Sequence, residues 1–284
     1  MAQVSIARRL PRDLVFFPVA LILAWHSILT MREFGIGWDA HAYYVAWHGT
    51  LYDKVPGVQD AYNYSPLFAQ LVWPLTHLPW PVFCALFIGA AGLTIAWLAK
   101  PLSRPMAVGL WLFCAPEILS GNVFWLLALC TVLGFNRGTP WLAAAFTKVV
   151  PCLGPIWFLV RGEWRPLRSF VVVGTLLFLA SFALDPTLWR QWVDFLVDSS
   201  DVAPVITFIP PLVYRLPVGL VLLVFAARTD RRWLVPVCMV VVSPVIGEGT
   251  LALLAAIPRL LEPRDRRPEA AATTAPVGAR SLTP

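Results

Sequence analysis

Charge is what this chain has least of. Only 13% of its 284 residues are Asp, Glu, Lys or Arg, 58% are hydrophobic, and the mean hydropathy is +0.71. Soluble domains carry about 25% charged and roughly 45–50% apolar residues. A soluble fold of this size leaves about a quarter of its unfolded-chain area wet, and so few polar side chains cannot cover it. That excludes a soluble globular enzyme, a disordered chain and a coiled coil. Lysine is scarcer still: Lys54, Lys100 and Lys148 are the only three, so the net charge of +6 rests on arginine. The arginines cluster between apolar runs, which is a topology signal and not a nucleic-acid-binding face. Cysteine is sparse. Cys84, Cys114, Cys130, Cys152 and Cys238 all lie in apolar runs without a CxxC pair or a Cys/His cluster, and they read as core or lipid-facing thiols. Also absent are a G-x-x-x-x-G-K-[ST] loop, a dinucleotide fingerprint, H-E-x-x-H and G-x-S-x-G.

What is abundant is apolar sequence. A helix needs about 20 residues to cross the hydrocarbon core. Candidate spans fall at 14–30, 66–79, 81–99, 105–118, 121–135, 140–160, 168–184, 212–228, 232–247 and 249–261. The expected fold is an all-α, polytopic transmembrane bundle of about ten segments over residues 14–261. The shorter segments are expected to tilt or re-enter. Two polar stretches interrupt it, 31–65 and 185–211. Residues 1–13, with Arg8, Arg9 and Arg12, have no small-x-small cleavage site after them, so the first run reads as a retained span. The charged, then Ala/Thr/Pro-rich tail 262–284 is expected to be disordered. With both termini cytoplasmic, fourteen basic residues fall on inner segments and seven on outer ones. Both polar stretches, and the Gly247-Glu248-Gly249 hairpin, are then outer.

The first outer loop holds the densest chemistry. Asp39 follows the first span by about nine residues, which puts it at the membrane surface, and His41, Tyr43, Tyr44, Trp47 and His48 come next. On a helix, Tyr44, Trp47 and His48 share one face. A carboxylate beside histidine and aromatics at an interface suits a polar, ring-shaped ligand on a greasy anchor; it equally suits an interfacial aromatic belt. Lys148, inside an apolar run, costs about 2.5–3.5 kcal/mol on insertion scales and so faces the bundle interior. It either meets a ligand's negative charge or pairs with Glu117 or Glu248. The second loop has Trp189, Trp192 and Phe195 at helical spacing, as in an amphipathic surface helix.

The order of several short elements resembles a known family. Gly37-Trp38-Asp39 is followed by Tyr43-Tyr44 and Ala46, then by Leu51-Tyr52-Asp53. Tyr62-Asn63-Tyr64-Ser65-Pro66-Leu67-Phe68 is similar to a Y-x-Y-P-P-L-F pattern, and Pro74-Leu75 and Leu78-Pro79 continue its spacing. Ser120-Gly121-Asn122, Thr147-Lys148-Val149-Val150-Pro151 and Ser243-Pro244 come further on. Together they resemble the GT-C superfamily of polyprenol-phosphate-sugar-dependent glycosyltransferases and, within it, glycosyltransferase family 87, which contains bacterial α-(1→2)-mannosyltransferases. Ser65 stands where the family usually has proline, and Asn122 where it often has Gln.

The resemblance implies transfer of a hexose, mannose in the first instance, from a polyprenyl-phosphate donor to a hydroxyl of a glycolipid or glycan on the outer face. Asp39 is then the expected general base of one inverting displacement. Lys148 and Arg215 are expected at the donor phosphate, with Arg104 and Arg190 as competitors. His41, Tyr44, His48, Tyr62, Tyr64 and Glu248 are the expected sugar or acceptor contacts, Tyr62 and Tyr64 being alternatively interface anchors. No cofactor, metal or nucleic acid is expected; the partners are donor, acceptor and membrane lipid. The competing class is a non-enzymatic transporter or flippase of a lipid-linked saccharide, which would place its charges near mid-membrane and show an internal repeat.

Overall fold

The computed structural model describes residues 10–199 and 209–262. Residues 1–9 of the expected cytoplasmic start, nearly all of the expected tail and residues 200–208 of the second polar stretch lie outside the described residues, and the first helix begins at Leu10, ahead of the expected 14. Within the described residues every regular element is helical. Three helices are long and apolar enough to cross a membrane. They are α1 (Leu10–Phe34, apolar from Val15), α4 (Trp80–Ala99) and α10 (Trp164–Leu184), with mean hydropathies of 1.6, 2.2 and 2.0.

None of the other seven expected segments is a continuous helix of 18 residues or more, and proline is the main reason. Pro has no N–H to give and clashes with the preceding turn. The segment 66–79 becomes α3 (Pro66–Val72) and a 3₁₀ turn (Trp73–His77) containing Pro74. The segment 105–118 is divided near Pro116 into α5 (Arg104–Phe113) and α6 (Ala115–Ser120). The segment 140–160 is divided around Pro151 and Pro155 into α8 (Trp141–Thr147) and α9 (Gly154–Arg161). α7 (Phe124–Gly134) and α12 (Leu212–Arg228) are continuous but shorter than 18 residues. The last segment consists of α13 (Val235–Val242), a 3₁₀ stretch (Gly249–Ala256) and α14 (Ile257–Leu260).

Two apolar cores result. The larger joins α7, α8, α9, α12, α13 and the Gly249–Ala256 stretch around Trp141, Trp157, Phe158, Leu127, Met239 and Leu253, all without solvent exposure. The smaller is aromatic and is built mainly from the first polar stretch. Tyr43, Tyr62, Tyr64, Phe68 and Phe83 pack with Val123 and Leu188, joining α2 (Trp38–Val45), α3 and α4. Full burial of one such side chain stabilises by about 1.5–3 kcal/mol, so the loop is a folded layer.

The second polar stretch begins with α11 (Pro186–Asp198), whose N-terminus is capped by Asp185 accepting the Thr187 and Leu188 N–H groups at 2.9 and 3.3 Å. It buries Leu188, Trp189 and Phe195 and leaves Val193 and Val197 exposed. The Trp189 indole N–H donates to Ser181 Oγ at 3.0 Å, and that hydroxyl donates to Gln70 Oε1 at 2.6 Å. Phe195 lies 5.5 Å from the Tyr52 ring. The two polar stretches therefore pack as one layer.

Candidate active site

Two glycines bring the centre together. Gly37, just before α2, has φ +76, and its N–H donates to the Leu119 carbonyl at 2.8 Å; a Cβ there would lie 2.5 Å from Cys84 Sγ. Gly121, just after α6, has φ +69, and a Cβ there would lie 2.7 Å from Ala40 Cβ. Only a residue without a side chain takes this backbone conformation freely and also allows so close an approach. The two motifs Gly37-Trp38-Asp39 and Ser120-Gly121-Asn122 thus press together, although 83 residues separate Asp39 from Asn122.

A chain of hydrogen bonds runs from that junction. The Asn122 amide Nδ2–H donates to Asp39 Oδ2 at 2.8 Å, and Asn122 Oδ1 accepts from Tyr64 Oη at 3.3 Å. The Tyr64 hydroxyl accepts from Tyr43 Oη at 3.0 Å and from Lys148 Nζ at 3.3 Å. The Lys148 ammonium lies over the rings of Phe124 and Tyr64, 4.2 and 4.9 Å from their centroids. Among the described residues Lys148 makes no carboxylate contact within 4 Å. The Lys–Glu pair considered from sequence is therefore not formed with either Glu117 or Glu248.

Burial raises the Asp39 pKa, while the Asn122 hydrogen bond, the Lys148 charge and Ser120 pull it back. Burial also pushes the Tyr43, Tyr62 and Tyr64 phenols up, so they remain neutral hydroxyls.

Ser65 explains one departure from the family pattern. It caps α3 by accepting the Phe68 N–H at 3.4 Å, and its hydroxyl donates to the Phe146 carbonyl at 2.5 Å. That second bond fastens the loop that carries Tyr64 to the end of α8, two residues from Lys148.

Other residues singled out from sequence are placed as follows. Tyr62 and Tyr64 are 2% and 7% exposed, with rings covered by Tyr52, Tyr43 and Phe68, so neither offers a face for stacking a sugar; Tyr62 donates instead to the Ser65 carbonyl at 3.1 Å. The expected helical face of Tyr44, Trp47 and His48 is broken, because α2 ends at Val45 and a 3₁₀ turn follows. Trp47 turns to donate to the Ala69 carbonyl at 3.1 Å, and His48 is exposed. His41 packs edge-on against Trp80 at 5.0 Å and shares a 2.6 Å hydrogen bond with Asp60, which has φ 62. Tyr44 lies 5.4 Å from Trp80.

Glu248 pairs with His26 of α1 at 2.9 Å. Arg215 is fully committed to backbone: Nε donates to the Pro210 carbonyl at 2.6 Å, Nη1 to those of Val241 and Ser243 at 2.7 and 2.8 Å, and Nη2 to that of Pro244 at 3.1 Å. It satisfies the carbonyls freed where α13 breaks at Ser243-Pro244, and it is not brought to the Asp39–Lys148 chain.

Three members of the cluster were not singled out as site residues from sequence: Asn122, Tyr43 and Glu117. Glu117 is fully buried. Its Oε1 accepts the Trp125 N–H at 2.9 Å at the start of α7, and its Oε2 has no hydrogen-bond partner among the described residues. A carboxylate in an apolar run five residues before Asn122 was the available signal. No three His, Cys, Asp or Glu side chains converge as a metal would require, among the described residues.

No curated protein and no solved structure matches the chain. A family model described as glycosyltransferase family 87 matches residues 62–282, which include Tyr64, Asn122, Lys148 and the Ser243-Pro244 break. Asp39 lies ahead of the matched region and reaches it through the two glycines. With more than half of its length matched, the chain belongs to glycosyltransferase family 87.

Proposed function

We propose that this glycosyltransferase transfers a hexose, mannose first among them, from a polyprenyl-phosphate donor to a glycolipid or glycan hydroxyl on the outer face of the membrane, with both termini cytoplasmic. The observation that carries the reading is the Asp39–Asn122–Tyr64–Lys148 chain. It holds a carboxylate and an ammonium in one centre without letting them neutralise each other.

In this reading Asp39 accepts the proton of the acceptor hydroxyl while that oxygen forms its bond to the anomeric carbon. The bond from the anomeric carbon to the phosphate oxygen breaks in the same step, and the configuration inverts. Negative charge grows on the departing phosphate, and Lys148 supplies the fixed positive charge that stabilises it. Asn122 orients Asp39, and Tyr64 orients both Asn122 and Lys148. His41, Tyr44, His48 and Glu248 contact sugar or acceptor. Arg215 acts by holding the Ser243-Pro244 break, so Lys148 carries the phosphate role alone. A lipid-borne donor stays in the bilayer, which is why a catalytic loop folded against membrane helices suits it.

The test is transfer of radiolabelled mannose from polyprenyl-phosphate-mannose into membrane glycolipids by wild type and by Asp39→Asn. Transfer is expected to fall by 10²–10⁴-fold in the variant at equal expression. Because burial raises the Asp39 pKa, the native state favours its proton, and the stability Asp39 contributes at low pH is lost as pH rises through that pKa. Asp39→Asn is therefore expected not to lower the thermal midpoint at neutral pH. Unchanged transfer in the variant would remove Asp39 as base. Absence of transfer by wild type with several donors would favour the transporter.

A further inference from the structure

Glu117 is buried beside the centre, and the reaction drawn above does not use it. Its place follows from what α7 lacks. The first N–H groups of a helix have no partner inside it and need an acceptor from outside. The residue before α7 is Val123, whose side chain offers none. The acceptor comes from the preceding helix instead. The Trp125 N–H, second in α7, donates to Glu117 Oε1 of α6 at 2.9 Å. Eight residues separate the two, so this bond closes the connection between α6 and α7 into a ring.

That ring carries Asn122. Inside it, Ser120 Oγ donates to the Glu117 carbonyl at 3.2 Å and accepts the Asn122 N–H at 3.2 Å, while Asn122 Oδ1 accepts the Val123 N–H at 2.7 Å. With Oδ1 so held, the amide Nδ2 is turned to Asp39, 2.8 Å away. The other oxygen of Glu117 meets chain: a Cβ at Gly249 would lie 2.9 Å from Oε2 and 3.9 Å from Phe124 Cδ2. Oε2 has no hydrogen-bond partner among the described residues. A buried acceptor left unpaired is costly. Serine, threonine or asparagine at position 123 would cap α7 without that cost. What a local cap would not do is reach across the turn and fix it.

We infer that Glu117 is a positioning residue of the transferase: by capping α7 from α6, it locks the Gly121-Asn122 turn and keeps the Asn122 amide aimed at the Asp39 carboxylate. It acts through Asn122 and not on the substrates. The inference rests on the reading of Asp39 as the base. The property used is an acceptor oxygen at this reach, so an amide of the same length serves and a methyl group does not.

The experiment uses the full chain in detergent and reads two quantities. One is hydrogen exchange of the backbone amides of residues 122–125, followed by mass spectrometry. The other is the pH profile of kcat/KM for transfer from polyprenyl-phosphate-mannose. In Glu117→Ala, exchange in this segment is expected to quicken by about 10-fold or more, and kcat/KM to fall about 10-fold. The acid limb should move to higher pH, as loss of a hydrogen bond to ionised Asp39 requires. Glu117→Gln should recover most of both losses. On an Asn122→Ala background, Glu117→Ala should cost less than about twofold more, since the two act through one bond. Unchanged exchange, an unmoved limb, additive losses, or a Gln variant no better than Ala would each overturn the inference while leaving Asp39 as base. Absence of transfer by wild type would instead remove the base reading and the inference together. If Glu117→Ala does not fold, Gly249→Ala takes its place, because its Cβ displaces Oε2. A loss of about two- to threefold, with exchange and limb shifted in the same directions, is then expected, and unchanged values would sink the inference.

Discussion

The two polar networks of this protein handle opposite charges in opposite ways. Around Arg161, two arginines, Arg161 and Arg232, meet two carboxylates, Glu163 and Asp230, in direct contacts of 2.6–3.5 Å that are partly open to solvent. Around Asp39, a carboxylate and an ammonium sit in one half-buried centre, yet a phenol and an amide stand between them. Direct pairs at a surface contribute about 0–1 kcal/mol and leave the charges little further to do. Charges joined through neutral hydroxyl and amide groups keep lone pairs and protons for a third party. Buried groups of this kind are costly to leave half-satisfied, and they persist where function requires them.

The comparison yields predictions of decreasing size. Gly121→Ala places a Cβ 2.7 Å from Ala40 Cβ in a left-handed backbone position, which should push Asn122 away from Asp39. Transfer is expected to fall by about 10²-fold or more, as for a displacement of about 1 Å in a reacting centre. Melting should register a smaller change, from the roughly 1–2 kcal/mol cost of a left-handed residue. Preserved transfer would mean that the junction does not set the centre.

Asn122→Ala removes a hydrogen bond to a charged group, worth about 1.5–3 kcal/mol, so kcat/KM should drop roughly 10- to 10²-fold. Its pH profile is the sharper readout. A base must be ionised, so the acid limb of wild-type kcat/KM should lie above the ordinary aspartate range, because burial raises Asp39. Losing a bond to the ionised form raises it further, and the limb should move to higher pH in Asn122→Ala. A limb that stayed in place would separate Asn122 from Asp39.

Tyr64→Phe leaves Tyr43 and Lys148 without their shared acceptor. A loss of about 3- to 10-fold in transfer is expected, corresponding to one ordinary hydrogen bond, measured in the same assay. Glu163→Gln, in the other network, should leave transfer unchanged and alter stability by less than about 1 kcal/mol in a melting comparison. An effect of Glu163→Gln as large as that of Tyr64→Phe would erase the distinction between the networks.

Helicity and the aromatic loop were legible in the sequence from local composition, and the motifs holding Gly37, Gly121 and Lys148 from their order, but not the close approach that the two glycines allow. Long-range pairings were not. Nothing local says that Asn122 will meet Asp39, or that Glu248 will meet His26 across 222 residues. Tyrosine misled for a physical reason. Near an interface its hydroxyl suggests an exposed ring, whereas Tyr62 and Tyr64 are buried with the hydroxyls satisfied internally. Hydropathy also leaves helix continuity undecided, since it sums apolarity and does not register where Pro74, Pro116 and Pro151 end a helix.

The Arg215 clamp has a consequence for how the protein is made. The carbonyls of Val241, Ser243 and Pro244 that hold this guanidinium lie 26, 28 and 29 residues downstream. At synthesis rates of about 5–20 residues per second, that is a delay of roughly 1–6 s. For that interval Arg215, near the start of α12, has only one of its four carbonyl acceptors, that of Pro210, already made. The clamp closes only once the Ser243-Pro244 break has been synthesised, which ties the final packing of α12 to that of α13.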